Sequence, residues 1–269
     1  MKISSPFLLP FFLAAIFVDG VKSHTDHAGW AMAPLILSFD NVVGEQDLKP
    51  DPSTYTNAAG ESFTITQLQY FISNIKLGRA DGTEFIVPQD ECYFLVQENV
   101  PASQRIRLMV PEAEYNRITF IVGVDSLRNT MDISKRTGVL DPASAMDNGM
   151  YWGWNSGYIF FKMEGNSTTA PADPTGRQKF RYHIGGFGGY SAPTINNIKT
   201  VSLDLDTKGV ARVEKGKQAA IYIRADILKA FTGRSAISIA AHPSVMFSEY
   251  SVNIAGNYSN MFTHHRTDN

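Results

Sequence analysis

The chain has 269 residues and a formal net charge of -2, with 43% hydrophobic and 19% charged residues. That balance excludes a disordered tail and a collagen-like repeat, and the length suffices for a sizeable core. With 24 basic against 26 acidic residues there is no excess of positive charge for phosphate backbones, so nucleic acid is not expected as a partner.

The first residues read as an export signal. Lys2 gives a positive start, residues 6–18 (PFLLPFFLAAIFV) are apolar, and a polar DGVKS follows. The apolar run is short of the roughly 20 residues that a membrane span needs. Residues 1–23 are therefore expected to be a signal peptide cut after Ser23, which leaves His24 as the new N-terminus. Ala31 and Ala33 form a second A-x-A pattern, but Pro34 after it hinders cleavage. Residues 24–33 read as an extension and residues 34–269 as a single domain with no membrane span. The mature protein is expected in the periplasm or outside the cell.

The body reads as short strands. Residues 35–39 (LILSF) are closed by Asp40-Asn41, and residues 63–77 (FTITQLQYFISNIKL) run into the turn Asp81-Gly82 and then Phe85-Ile86-Val87, a hairpin signal. Cys92, the only cysteine, opens the strand-like run Cys92-Tyr93-Phe94-Leu95-Val96 and reads as a buried thiol with no internal disulfide to make. Residues 105–110, 115–124, 158–163, 180–184, 199–205 and 219–223 follow with β-branched and aromatic residues between turn signals. The pattern predicts an all-β, antiparallel β-sandwich with a few short helices. Helical turns are expected at residues 65–70, 227–231 and 248–261, the last from the spacing of Val252, Ala255, Tyr258 and Phe262.

Common catalytic patterns are missing: there is no G-x-S-x-G, no phosphate-binding glycine loop and no H-E-x-x-H. The run Gly185-Gly186-Phe187-Gly188-Gly189 reads as a turn or a close backbone approach. Asp125, Asp141 and Asp147 sit among turn signals, where Asx turns account for them. The histidines are more informative. His24 and His27 stand at the mature start, His264 and His265 at the end, and His183 within the strand-like Arg181-Tyr182-His183-Ile184. Chain ends often lie close together, so one metal ion could gather imidazoles from both. Imidazole suits copper, zinc and nickel, and a chelate of the His24 amine and ring favours Cu(II). Solvated terminal histidines and a satisfied strand histidine remain the plain alternative.

In Met150-Tyr151-Trp152-Gly153-Trp154-Asn155-Ser156-Gly157-Tyr158, two tryptophans are one residue apart and would share a face in a strand. Three readings fit: a core cluster, a stacking platform for a carbohydrate or other small ligand, and a redox-active indole near a metal.

Taken together, several segments resemble the MbnP-like family of exported proteins. They are Phe39-Asp40, Tyr70-Phe71-Ile72-Ser73-Asn74-Ile75-Lys76-Leu77, Gly123-Val124-Asp125-Ser126, Leu140-Asp141-Pro142, the tryptophan run, Lys162-Met163-Glu164-Gly165, Tyr182-His183-Ile184-Gly185-Gly186, and the tail Asn257-Tyr258-Ser259-Asn260-Met261-Phe262 before His264-His265. The resemblance implies a β-sandwich that binds a copper ion outside the cytoplasm for storage, uptake or delivery. It also implies a partner, a di-haem cytochrome c peroxidase-like protein that oxidises a tryptophan to kynurenine, with Trp152 or Trp154 as the candidate. His183 matches the family's strand histidine and His264 or His265 its terminal one. His24 and His27 precede the matching region and rest on ligand chemistry alone, as does the variant reading of a copper oxygenase built on His24.

Overall fold

The computed structural model describes residues 23–24, 29–154 and 157–269, with the backbone alone for Ser23 and His24. The expected signal peptide falls outside the described residues except for the backbone of Ser23, and so does His27.

In chain order the first strands are β1 (Ser23–His24), β2 (Met32–Val43), β3 (Gln46–Asp47), β4 (Thr54–Thr56), β5 (Ser62–Gly78), β6 (Glu84–Ile86) and β7 (Tyr93–Gln97). Then come β8 (Arg105–Pro111), β9 (Ala113–Tyr115) and β10 (Arg117–Val122), followed by the short helices α1 (Ser126–Thr130) and α2 (Pro142–Asp147). The second half holds β11 (Tyr151–Trp152), β12 (Gly157–Asn166), β13 (Lys179–Gly185), β14 (Lys199–Asp204), β15 (Ala211–Val213), β16 (Ala219–Asp226) and β17 (Ser244–Val245), and the chain ends with α3 (Ser251–Tyr258) and β18 (Phe262–Asp268).

Two large sheets form the sandwich. One has β5 at its centre, with β12, β13 and β17 to one end and β6 and β1 to the other, while β4, β7 and β10 also pair with β5 and β14 pairs with β10. The second runs β18, β16, β2, β3, with β8 also on β2. Most ladders are antiparallel; β2 with β16, β13 with β17 and β1 with β6 are parallel. Leu35, Leu37 and Phe39 of β2 and Ile221 and Ile223 of β16 meet Tyr70 and Ile72 of β5 and Phe161 of β12 in one core. Phe39 stands edge-on to Tyr70, Phe120 and Phe262 at 6.0 to 6.3 Å, the favoured geometry for aromatic pairs.

The predicted β-sandwich is thus observed. The Asp81-Gly82 hairpin joins β5 to β6, with Leu77 opposite Phe85. The helical turns expected near the C-terminal half appear as a tight turn at Ile227–Ala230 and as α3. Residues 65–70 depart from expectation: they lie inside β5. Residues 68–73 of that strand are buried on both faces, which erases the polar–apolar alternation that marks a half-exposed strand.

The second buried face is covered by residues 124–152. Val124, Leu140, Ala145, Met150 and Trp152 pack there on Phe71, Leu95 and Phe160. Asp125 caps α1 by accepting from the Arg128 N–H at 3.1 Å, and Asp141 caps α2 through the Ala143 N–H at 3.2 Å. Asn129 braces this cover by donating to the Val124 carbonyl at 2.7 Å, and its Oδ1 meets the sheet by accepting from the Tyr158 N–H of β12 at 3.5 Å.

Glu61 locks one end of the sandwich. Its carboxylate is 6% exposed and accepts from Asn57 Nδ2, Ser238 Oγ and the backbone N–H groups of Ile239 and Ala240, at 2.7 to 3.0 Å. Burial alone would raise its pKa, but these donors outweigh it and hold the carboxyl below its ordinary value of 4.5. A depressed folded-state pKa contributes stability that is present above the unfolded value and is lost as pH falls through the folded one. We expect Glu61→Gln to cost about 2 kcal/mol at neutral pH, with the gap from wild type narrowing below pH 4.5. Denaturant unfolding at pH 7 and pH 3 measures this, and an equal gap at both would contradict it.

Candidate functional site

The two tryptophans lie on the outer, covered face of the large sheet. Trp152 ends β11, which pairs with the start of β12, and its ring is 5% exposed. Gly185, at the end of β13, makes room for it: a Cβ there would stand 2.7 Å from the indole and 2.3 Å from the Tyr158 carbonyl. The glycine run after β13 is thus a close approach followed by turns, with Gly186 at φ +113° and Gly189 at +97°. Phe247 meets Trp152 edge-on at 6.2 Å. Trp154 sits in the turn beyond β11 and is 67% exposed, with its ring 5.5 Å from that of Trp152 and tilted by 43°. Strand alternation therefore does not govern the pair. One indole is buried and the other lies open on top of it, so the two do not form a shared stacking platform.

His183 lies two residues before Gly185 and so shares its face of β13. Its Nε2 is 2.7 Å from Glu164 Oε1, and Lys162 Nζ is 3.5 Å from the same oxygen. The His183 bond, outweighing burial, and the Lys162 charge hold the Glu164 carboxyl down at about 2. Lys162 is directly opposite both His183 and Gln69, which in turn faces Gln97. A polar row thus crosses four strands beside the apolar cover. Lys162 is 8% exposed and donates to the Gly149 carbonyl at 3.4 Å, which joins the row to the tryptophan segment. The Oε1 atom of Gln69, buried in this row, has no partner among the described residues.

The remaining histidines stand elsewhere. His264 belongs to β18 in the other sheet, faces inward, and has its Nε2 2.9 Å from Thr267 Oγ1. Burial lowers its pKa, as do the nearby charges of Lys208 and His265. His265 follows on the opposite, exposed face. The backbone of His24 is opposite Phe85, whose partner on β5 is Leu77. Leu77 is eight positions along β5 from Gln69, on the order of 25 Å from the row of His183. Among the described residues no three His, Cys, Asp or Glu side chains gather around one point. Of the histidines expected to converge on a single ion, His183 and His264 lie in different sheets, and the described donors at His183 amount to one imidazole and one carboxylate.

Sequence reasoning passed over Glu164, Lys162 and Gln69 as site residues. Their signal is legible afterwards. In a strand of Tyr, Ile, Phe and Met, a Lys and a Glu two apart must share one face, and that face must offer them partners.

Fold and site describe a β-sandwich with a covered outer sheet face, where a paired indole lies beside a carboxylate-held imidazole. The chain belongs to the MbnP family, whose model matches residues 32–247. The solved structure of MbnP from Methylosinus trichosporium is similar in fold, with a TM-score of 0.54 and 15% identity over 81% of this chain and 82% of that one. No curated protein matches.

Because Gly185 has no room for a side chain, we expect Gly185→Ala to displace the Trp152 ring and cost about 1–3 kcal/mol. Tryptophan emission should move towards the solvent-exposed value in the folded variant. Unchanged emission and stability would contradict the assigned packing.

Proposed function

We propose that the protein is exported and binds copper, for storage, uptake or delivery, and that Trp154 is the indole oxidised by a di-haem peroxidase-like partner. The reading draws on family membership, and one observation carries it: an open indole rests on a buried one that abuts Gly185, two residues along β13 from the Glu164-held His183. An external oxidant reaches Trp154, whereas the cover shields Trp152. No helix among the described residues is long and apolar enough to cross a membrane.

His183 is the imidazole this face presents. If Glu164 accepts a hydrogen bond from Nε2–H, the tautomer leaves Nδ1 free for a metal, and a carboxylate in that position also raises ligand basicity. Copper bound there would supply a redox-active cation next to an oxidisable ring. Protons compete for the same lone pair, so affinity should fall on acidification. The described side chains do not complete a coordination sphere, so a donor created by oxidation of the neighbouring indole fits the link between modification and copper that the resemblance implies. A carbohydrate platform has less support, because Trp152 offers no open face.

Copper titration of protein from its native host tests the ligand. We expect His183→Ala to remove most of the affinity and Glu164→Gln to weaken it by about tenfold, while the His264→Ala, His265→Ala pair leaves it unchanged. Copper affinity indifferent to His183 would overturn the site. Intact-mass and peptide analysis, with and without the haem partner, tests the modification. A shift confined to the peptide of Trp154, absent in Trp154→Phe and retained in Trp152→Phe, is the expected result; unmodified indoles in both samples would remove the redox role.

A further inference from the structure

A cavity lies away from the tryptophans, against α3. It has a volume of about 450 Å³ and is lined by Lys199, Thr200, Arg234, Ser235 and the Val252, Asn253, Gly256 and Ser259 surface of the helix and its end. Two cations line it and no carboxylate does. In a chain of net charge -2 this is a local concentration rather than a general excess.

The donors in this cavity are largely unused. Lys199 Nζ reaches only the Asn196 carbonyl, at 3.4 Å. The Arg234 guanidinium, the Thr200 hydroxyl and Asn253 Nδ2 meet no acceptor among the described residues. Asn253 Oδ1 is already taken by Ser235 Oγ at 3.1 Å.

The two walls are held in place by buried amides. Asn197 is fully buried and donates to the Gly185 carbonyl and to Ser251 Oγ, each at 2.8 Å, while its own carbonyl accepts from the Tyr258 hydroxyl. Asn257 is fully buried as well, donates to the carbonyls of Ala230 and Ser235, and accepts from the Ser235 N–H at 3.2 Å. Lys199 is two residues from the first clamp and Arg234 is next to Ser235, so the backbone that carries each cation is tied to the same helix. Burial and the nearby Arg234 charge lower the Lys199 pKa. Like charges held together without a counterion are relieved by an anion.

We propose that this cradle binds the phosphate group of a small molecule. Donors come from a strand, a loop and a helix around the cavity, which suits a tetrahedral oxyanion better than a planar carboxylate. The volume exceeds that of a bare phosphate and leaves room for an organic moiety over Val252.

Calorimetric titration of the full chain with inorganic phosphate and with glycerol 3-phosphate, at constant ionic strength, is the test. The expected result is one saturable site, an ester bound at least as tightly as the free ion, and an affinity at least about tenfold weaker in the Lys199→Gln, Arg234→Gln variant. Arg234→Gln alone, at an exposed position, gives a smaller loss and serves if the double variant does not fold. Vesicles containing phosphatidic acid separate the sources. Ester binding without vesicle binding assigns a soluble ligand; vesicle binding that disappears in the variant assigns a lipid headgroup. Absence of saturable binding to either probe, or equal binding by the folded variants, overturns the proposal.

Discussion

Strand β5 has to satisfy two apolar surroundings at once. It is 17 residues long and pairs with β4, β6, β7, β10 and β12. One face supplies Tyr70 and Ile72 to the sandwich core, and the other supplies Phe71 to a second cluster. A single sandwich would leave that second face in water. The chain covers it with residues 124–152, and the cover creates the ground on which the tryptophan site stands. Each Å² of apolar surface removed from water contributes on the order of 25 cal/mol, so the cover adds to the stability of the sheet beneath it.

The polar row Gln97, Gln69, Lys162 and His183 marks where that cover stops. Groups so shielded need partners, and here Lys162 finds Glu164 and the Gly149 carbonyl while Glu164 also meets His183. The same boundary explains the asymmetry of the indoles. Trp152 lies inside the cover, in the space left by Gly185, and Trp154 lies on its rim. Chemistry that needs both shielding and access is confined to such a rim.

Much of the architecture was legible in the sequence because strand and turn chemistry is local. The Asp81-Gly82 hairpin, the buried Cys92 and the capping roles of Asp125 and Asp141 follow from residues next to one another. Residues 65–70 were misleading because the strand is buried on both faces from Leu68 onward, where the period-two signal is lost. The tryptophans and His183 were legible as unusual residues, but their separation from His24 and His264 was not. Which sheet a strand joins depends on pairings between distant segments, such as β18 with β16. The Lys162–Glu164–His183 contact likewise needs the β12–β13 register before it can be seen.

The parallel ladder between β2 and β16 joins residues 35–42 to residues 219–226, and β18 closes the far edge of β16 only with the last residues of the chain. A polypeptide that emerges from its N-terminus onward, from a ribosome or through a narrow channel, therefore carries β2 with one edge unmatched until residues 219–226 have appeared. Closing so wide a loop is slow, since chain entropy is lost before the distant pairing repays it. The topology keeps the chain threadable until late in its emergence, and it leaves the LILSF run exposed to premature self-association throughout that interval.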